Sequence, residues 1–239
     1  SGDWSSDVCS SDLGAEALGA KVAHEIRNPL TAIKGLVQLL ARGEHEARDQ
    51  KRLEVVLAEV GRVEETLAAY LSFARPLAEL RPEPVALAGL LGELAALLEA
   101  RAEAAGVRVV VQADAAQLVG DRRRLQEALL NLASNALEAT APGGHLTLRA
   151  EARAYGATIA VSDDGRGMTP EQLARLGTPF VTGRPGGTGL GVTLARAVVL
   201  QHGGRMTHTS APGQGTQVTL RLPAEPGGAL PDGEDLDRR

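Results

Sequence analysis

The sequence predicts two domains of different class: an all-α helical hairpin, half of a dimeric four-helix bundle, followed by an α/β sandwich. Three observations point there. Apolar residues recur at helical spacing through the first third of the chain. Three prolines in "RPLAELRPEPV" (75–85) then break that pattern. Beyond them, long helical stretches alternate with short runs of β-formers, the signature of one mixed sheet with helices on one face. A length of 239 residues suits one large or two modest domains. Hydrophobic residues make up 44% but aromatics only 2%, so the core must be aliphatic.

Taken in order, residues 1–13 stand apart. "GDWSSDVCSSDL" is polar and aperiodic, and back-translated it resembles a sequencing-adapter oligonucleotide over every residue from Asp3 to Leu13. It is read as a non-native, adapter-derived or disordered segment and set aside. Cys9, the only cysteine, goes with it, which leaves no disulfide, zinc site or catalytic thiol. The expectation is a natural protein longer at its N-terminus, where a sensor or membrane segment would stand.

The first helix runs from about Ala15 to Arg42, with Val22, Ile26, Ile33, Leu36, Val37 and Leu40 near the 3.6 period. A polar break, "RGEHEARDQ" (42–50), follows. Leu53, Val56, Val60, Val63, Leu67, Tyr70 and Ala74 then step by threes and fours, a heptad seam with Arg52, Glu54, Glu59, Arg62 and Glu65 off it. Two such helices make an antiparallel hairpin that buries too little alone, so residues 14–76 are expected to form a homodimer. Residues 77–86 read as a linker. The second domain, 87–224, is read as a helix (87–105), strands (107–112, 117–120), a helix (121–140), paired strands (145–152, 157–163), a helix (189–202) and two strands (205–210, 216–223). Residues 225–239, rich in Pro, Gly and acids, are expected to be disordered.

Net charge of -5 and a pI near 5.6 argue against a nucleic-acid partner, which needs a basic face. No apolar run approaches the ~20 residues of a membrane span, so no membrane contact is expected within this stretch. Lysine supplies only three of the 25 basic residues, a mark of coding bias.

Four strings carry chemistry. In "VAHEIRNPLTAIKGL" (22–36), His24 lies beside the carboxylate of Glu25, the amide of Asn28 is one turn on, and Pro29 interrupts the helix. In "NLASNALEA" (131–139), Asn131 and Asn135 are four apart and project from one helical face; amide oxygens are hard donors suited to Mg²⁺. In "DDGRGM" (163–168), Asp163 at a strand end can accept from an exocyclic amine, and Gly165 and Gly167 allow close backbone turns. Alone, most such strings are simple strand-ending turns. In "GRPGGTGLGV" (183–192), Gly186, Gly187, Gly189 and Gly191 precede a helix whose free amides favour phosphate, and Arg184 adds charge.

With a closing "PGQGTQVTLRLP" (212–223), these strings stand in the order of a known family. From about Ala20 to Pro223 the chain resembles the cytoplasmic core of a bacterial two-component sensor histidine kinase. It is most similar to the nitrogen-regulation type, with "HEIRNPL" in its dimerisation helix and an ATP-binding domain of the Bergerat or GHKL fold. The resemblance implies ATP and Mg²⁺ as cofactors, a homodimer, a response-regulator receiver domain as partner, and a cytoplasmic place for this fragment. It makes His24 the phosphoacceptor and Glu25 the acid/base that takes the ring proton. Asn28 would position water for dephosphorylating the partner. Asp163 would bond the adenine amine, Gly165 and Gly167 would shape the base pocket, and Asn131 and Asn135 would hold Mg²⁺ and phosphate. Gly187, Gly189 and Gly191 would lie under the triphosphate, with Thr188 and Leu190 completing that nucleotide-binding stretch. Phe180 matches the aromatic at the base of a lid containing Thr182 and Arg184. Arg184 stands where Lys is frequent, Asp164 where Asn is, and Val192 where Leu is.

Two other readings compete. An ATPase of the gyrase and heat-shock chaperone superfamily needs a Glu one turn before the metal Asn. That position is Asn131, which cannot act as a base, although Glu127 lies four residues earlier. A degenerate, non-catalytic dimeric scaffold is the other. His45, His145, His202 and His208 carry no motif and are read as surface or packing residues.

Overall fold

The computed structural model describes residues 26, 30–40, 49–57, 59–61, 63, 79–179, 181 and 189–230. The chain divides into two compact units; the short stretch 184–188 aside, the first runs to Pro76 and the second begins at Leu77.

In the first unit, residues 30–40 and 49–57 are helical. Arg52 ties the two together: its Nη1 donates to the Leu39 carbonyl at 3.3 Å and pairs with Asp49 at 3.0 Å. Ile33, Leu36, Leu40, Val56 and Val63 are half-buried. Leu53 and Val60, also on the seam, stay 49% and 39% exposed, apolar surface that one hairpin leaves uncovered. His24, Glu25, Asn28 and the seam beyond Val63 lie outside the described residues.

The second unit runs β1 (Glu83–Ala86), α1 (Leu87–Ala105), β2 (Arg108–Ala113), β3 (Gln117–Gly120), α2 (Arg122–Ala139), β4 (His145–Arg153), β5 (Gly156–Asp163), α3 (Pro170–Ala174), α4 (Gly191–Gln201), β6 (Arg205–Ser210) and β7 (Thr216–Pro223). Five strands form one sheet in the order β2-β4-β5-β7-β6, with β2 parallel to β4 and the other pairs antiparallel. Alternation sorts its faces. Leu146 and Leu148, Ile159 and Val161, and Val218 and Leu220 point into the core. There they meet Leu90, Leu94 and Leu98 of α1 and Leu125, Leu129 and Leu132 of α2. Each fully buried leucine contributes about 1.5–3 kcal/mol. The alternate residues, such as Arg149, Thr158, Thr219 and Arg221, form a polar outer face.

Three features depart from the sequence reading. The last four residues of the segment read as linker form β1, antiparallel to β3 with Val85 opposite Leu118 and buried. Pro82 and Pro84 are tolerated there because β1 is paired on one side only. The short helix α3 had not been foreseen; Thr169 and Gln172 build a capping box around it, with Pro170 at its first position. The ends of the longer helices are caps: Asp121 and Thr140 flank α2, and Leu190 and His202 flank α4.

A buried polar chain joins these caps. Asp121 Oδ1 accepts from Arg124 N and Oδ2 from Arg81 N, each at 3.1 Å. His202, 2% exposed, accepts from Asp121 N through Nε2 at 2.9 Å and donates from Nδ1 to the Val198 carbonyl at 2.8 Å. A carbonyl only accepts, so the ring is neutral with its proton on Nδ1. Burial lowers its pKa. The unfolded chain therefore takes up a proton that the folded chain refuses as pH falls below the ordinary imidazole value of about 6.5. His202 stabilises the fold fully above that value and progressively less below it. In urea melts, the second unit should lose stability between about pH 8 and pH 5.5. His202→Gln should start lower and lose less; equal losses in both proteins would contradict the assignment.

Candidate functional site

Asp163 closes β5, and its burial raises the carboxyl pKa, while the N–H groups of Gly165 and Thr216 pull against that rise. The Gly165 amide donates to Asp163 Oδ1 at 3.0 Å. The turn that follows is stitched on both sides. Arg166 N donates to the Ala139 carbonyl at the end of α2 (3.1 Å), Gly213 N to the Arg166 carbonyl (2.8 Å) and Gly215 N to the Gly165 carbonyl (3.0 Å). Such closeness requires glycine. A Cβ at Gly215 would lie 1.9 Å from the Asp163 carbonyl oxygen, and one at Gly167 1.9 Å from that of Ala211; both residues have positive φ. Asp164 faces away, accepting from His145 N at 2.8 Å and bonding its ring Nδ1 at 3.1 Å; the backbone donor, then the ring, lower the Asp164 pKa.

On α2, Asn131 and Asn135 are half-buried, and neither amide has a hydrogen-bond partner among the described residues. The start of α4 packs against Asn131: a Cβ at Gly191 would lie 3.5 Å from its Oδ1. Gly189, at φ 65°, turns the chain into that helix, and Leu190 provides no side-chain cap. The first amides of α4 thus donate to no N-cap side chain. Thr193 Oγ1 anchors this end by donating to the Gly177 carbonyl at 3.0 Å.

Helix α2 relates the two clusters. Its last residue, Ala139, touches the Asp163 turn; Asn135 lies one turn earlier and Asn131, against Gly191, one turn earlier again. At the helical rise, eight residues span about 12 Å. Phe180, Thr182, Arg184, Gly187 and Thr188 lie outside the described residues. Glu127 is exposed and paired with Arg123 at 2.6 Å. No cluster of three or more His, Cys, Asp or Glu among the described residues could hold a metal ion. A cation here would rest on the two amides and on oxygens brought by a ligand. The sequence reading assigned no role to Ser210 or Gly215, which the structure places against the Asp163 turn. The signal for Gly215 was the Gly-x-Gly spacing after β6.

A strand-end carboxylate, a paired-amide helix and a glycine-led helix start over one sheet define a class of ATP-binding fold. Residues 120–226 match the family model described as histidine kinase-, DNA gyrase B-, and HSP90-like ATPase. Residues 16–79 match the His Kinase A (phospho-acceptor) domain. The chain belongs to the sensor histidine kinases of two-component systems. It is 35% identical over 214 residues to sporulation kinase B of Bacillus subtilis (strain 168), covering 87% of this chain and 49% of the relative. It is also 35% identical over 210 residues to sensor histidine kinase ZraS of Klebsiella oxytoca, covering 86% and 45%. The chain thus spans about half the length of these relatives. Full-length ShkA, solved with AMPPNP, aligns with a TM-score of 0.68 at 28% identity over 90% of this chain and 47% of that one. Histidine kinase ThkA, solved with the response regulator protein TrrA, shares the fold, with a TM-score of 0.75 at 24% identity over 88% and 62%.

Two glycines separate backbone strain from close contact. Gly213 has φ 73° and open space around it, whereas Gly215 has φ 72° and a carbonyl in the way. Gly213→Ala should cost only the left-handed penalty, about 1–2 kcal/mol. Gly215→Ala should cost clearly more, measured by chemical denaturation; equal costs would show that the packed loop is absent in solution.

Proposed function

We propose that this chain transfers the γ-phosphoryl group of ATP to His24 and then to an aspartate of a response-regulator receiver domain. The observation that carries the nucleotide half is the α2 spacing. Ala139, whose carbonyl holds the turn after Asp163, and Asn131 lie eight residues or about 12 Å apart along that helix, so one element carries the amides suited to phosphate and abuts the turn that bears the carboxylate suited to an amine. Asp163 accepts from the adenine amine, and Gly165 and Gly167 let the base approach the backbone. Asn131 and Asn135 would hold Mg²⁺, which would neutralise charge on the phosphates. The first amides of α4, reached through Gly189, Leu190 and Gly191, receive phosphate oxygens. The resemblance assigns Gly187, Thr188, Phe180, Thr182 and Arg184 to the nucleotide as well.

At the acceptor, a neutral His24 nitrogen attacks the γ-phosphorus. The N–P bond forms as the bond to the β–γ bridging oxygen breaks, ADP leaves, and Glu25 takes the proton from the other ring nitrogen. In-line positioning and charge neutralisation do most of the work. Asn28, one turn on, positions water for dephosphorylating the regulator. The uncovered seam residues support a homodimer, and "HEIRNPL" supports the nitrogen-regulation-like subtype. No described helix is long and apolar enough to cross a membrane; we read the fragment as working in the cytoplasm. The ATPase alternative would need Glu127 as base, and its exposed pairing with Arg123 speaks against that role.

Incubation with γ-labelled ATP tests the reading: a kinase gives acid-labile, alkali-stable label on protein, an ATPase free phosphate, a scaffold neither. His24→Gln should abolish labelling while ATP still binds. Asp163→Asn should abolish both, and normal nucleotide affinity in that variant would refute the pocket. The base amine needs an ionised Asp163, and burial raises its pKa above the ordinary 3.8. As pH falls through the raised value the free carboxylate is protonated, so binding must expel a proton and weakens. ATP affinity should therefore decline on acidification in wild type, starting above the usual aspartate range; a flat profile down to that range would count against the assignment.

A further inference from the structure

We propose that Ser210, at the end of β6, sets the purine preference of the site by fixing the proton of the Thr216 hydroxyl. The inference rests on Asp163 as the acceptor for the base amine. Ser210 Oγ accepts from Met168 N at 3.0 Å, lies 2.8 Å from the Gly215 carbonyl and 3.0 Å from Thr216 Oγ1. A serine hydroxyl has one proton and two lone pairs. The Gly215 carbonyl can only accept, so Ser210 spends its proton there. The Met168 amide can only donate, so it takes one lone pair. The remaining lone pair is left for Thr216, whose hydroxyl must be the donor. All three valences of Ser210 are then filled, and the Thr216 rotor is fixed.

Thr216 is the cross-strand partner of Asp163. Paired residues share a sheet face, and the Thr216 amide helps hold the Asp163 carboxylate ionised. With its proton turned to Ser210, Thr216 Oγ1 keeps only lone pairs to offer. Beside Asp163 the site then presents two acceptors and no donor. A 6-amino purine, with two N–H bonds on one nitrogen, satisfies that set. A 6-oxo purine would face oxygen with oxygen, and sites built on buried polar groups reject such mismatches strongly. Ser210 touches no base in this account; it is a positioning residue acting through Thr216.

The test is calorimetric titration of the full chain with ATP and with GTP, in the wild type and in Ser210→Ala. Removing Ser210 frees the Thr216 rotor to donate toward a 6-oxo group. The ATP-to-GTP affinity ratio should fall by about tenfold or more, on the scale of one hydrogen bond to a buried group. An unchanged ratio overturns the proposal, even if both affinities drop, because a loosened loop alone weakens both nucleotides alike. Ser210→Thr, which keeps the hydroxyl, should keep the ratio. Should Ser210→Ala not fold, Thr216→Val decides: loss of the hydroxyl must narrow the ratio, and a wild-type ratio there overturns the proposal. Asp163→Asn separates the two levels. If that variant binds ATP normally, the pocket reading itself fails; if it does not bind while Ser210→Ala keeps the wild-type ratio, only the role of Ser210 fails.

Discussion

The carboxylate of Asp163 is half-buried at the end of β5, and the local architecture keeps it there. Burial opposes its charge and raises its pKa, while amides aimed at it pull the other way. Those amides come from two directions, Gly165 in the turn that follows and Thr216 on the neighbouring strand. Both are positioned by contacts that a side chain would forbid. Gly215 lies against the Asp163 carbonyl, Gly167 against Ala211 and Gly165 against Ala139. A half-buried acceptor primed in this way favours a ligand that brings its own donor and carries no competing charge.

The rest of the unit ties the Asp163 turn and the start of α4 to one element. Helix α2 is the rigid member: its leucines fill the aliphatic core beneath, its C-terminal residue meets the Asp163 turn, and Asn131 meets the start of α4. At its other end the Asp121 cap bonds both His202 and the backbone of Arg81, so the same helix fixes the point where the chain enters the unit. One element thus joins the Asp163 turn, the start of α4 and the backbone of Arg81.

Much of this was legible in the sequence because the signals are local. Strands β3, β6 and β7 are bounded by Gly, Pro or charged residues and alternate cleanly, so their limits could be read to the residue. Helix α2 announces itself by its leucine spacing, and Asn131 and Asn135 by theirs. What escaped was either masked locally or decided at long range. Pro82 and Pro84 read as linker, yet β1 pairs on one side only and tolerates them. The Thr169 and Gln172 capping box was present in the string, but a five-residue helix has no periodicity to detect. His202 read as surface or packing and is a packed core residue, distinguished only by a partner 81 residues away. Gly215 meets the Asp163 carbonyl, and Ser210 bonds Met168, Gly215 and Thr216, across strands whose pairing no local pattern states. Asn131 and Asn135 lie on one helix and Asp163 at a strand end, as their strings predict, whereas His24, Phe180, Thr182, Arg184, Gly187 and Thr188 lie outside the described residues.

The most direct measurement of the central claim is the titration of the Asp163 carboxyl carbon by NMR, in the free chain and with ATP bound. Burial against the glycine turn predicts a pKa above the ordinary aspartate value in the free chain and a clear fall when the nucleotide donates to it. A carboxyl that titrates at the ordinary value and ignores ATP would contradict the account.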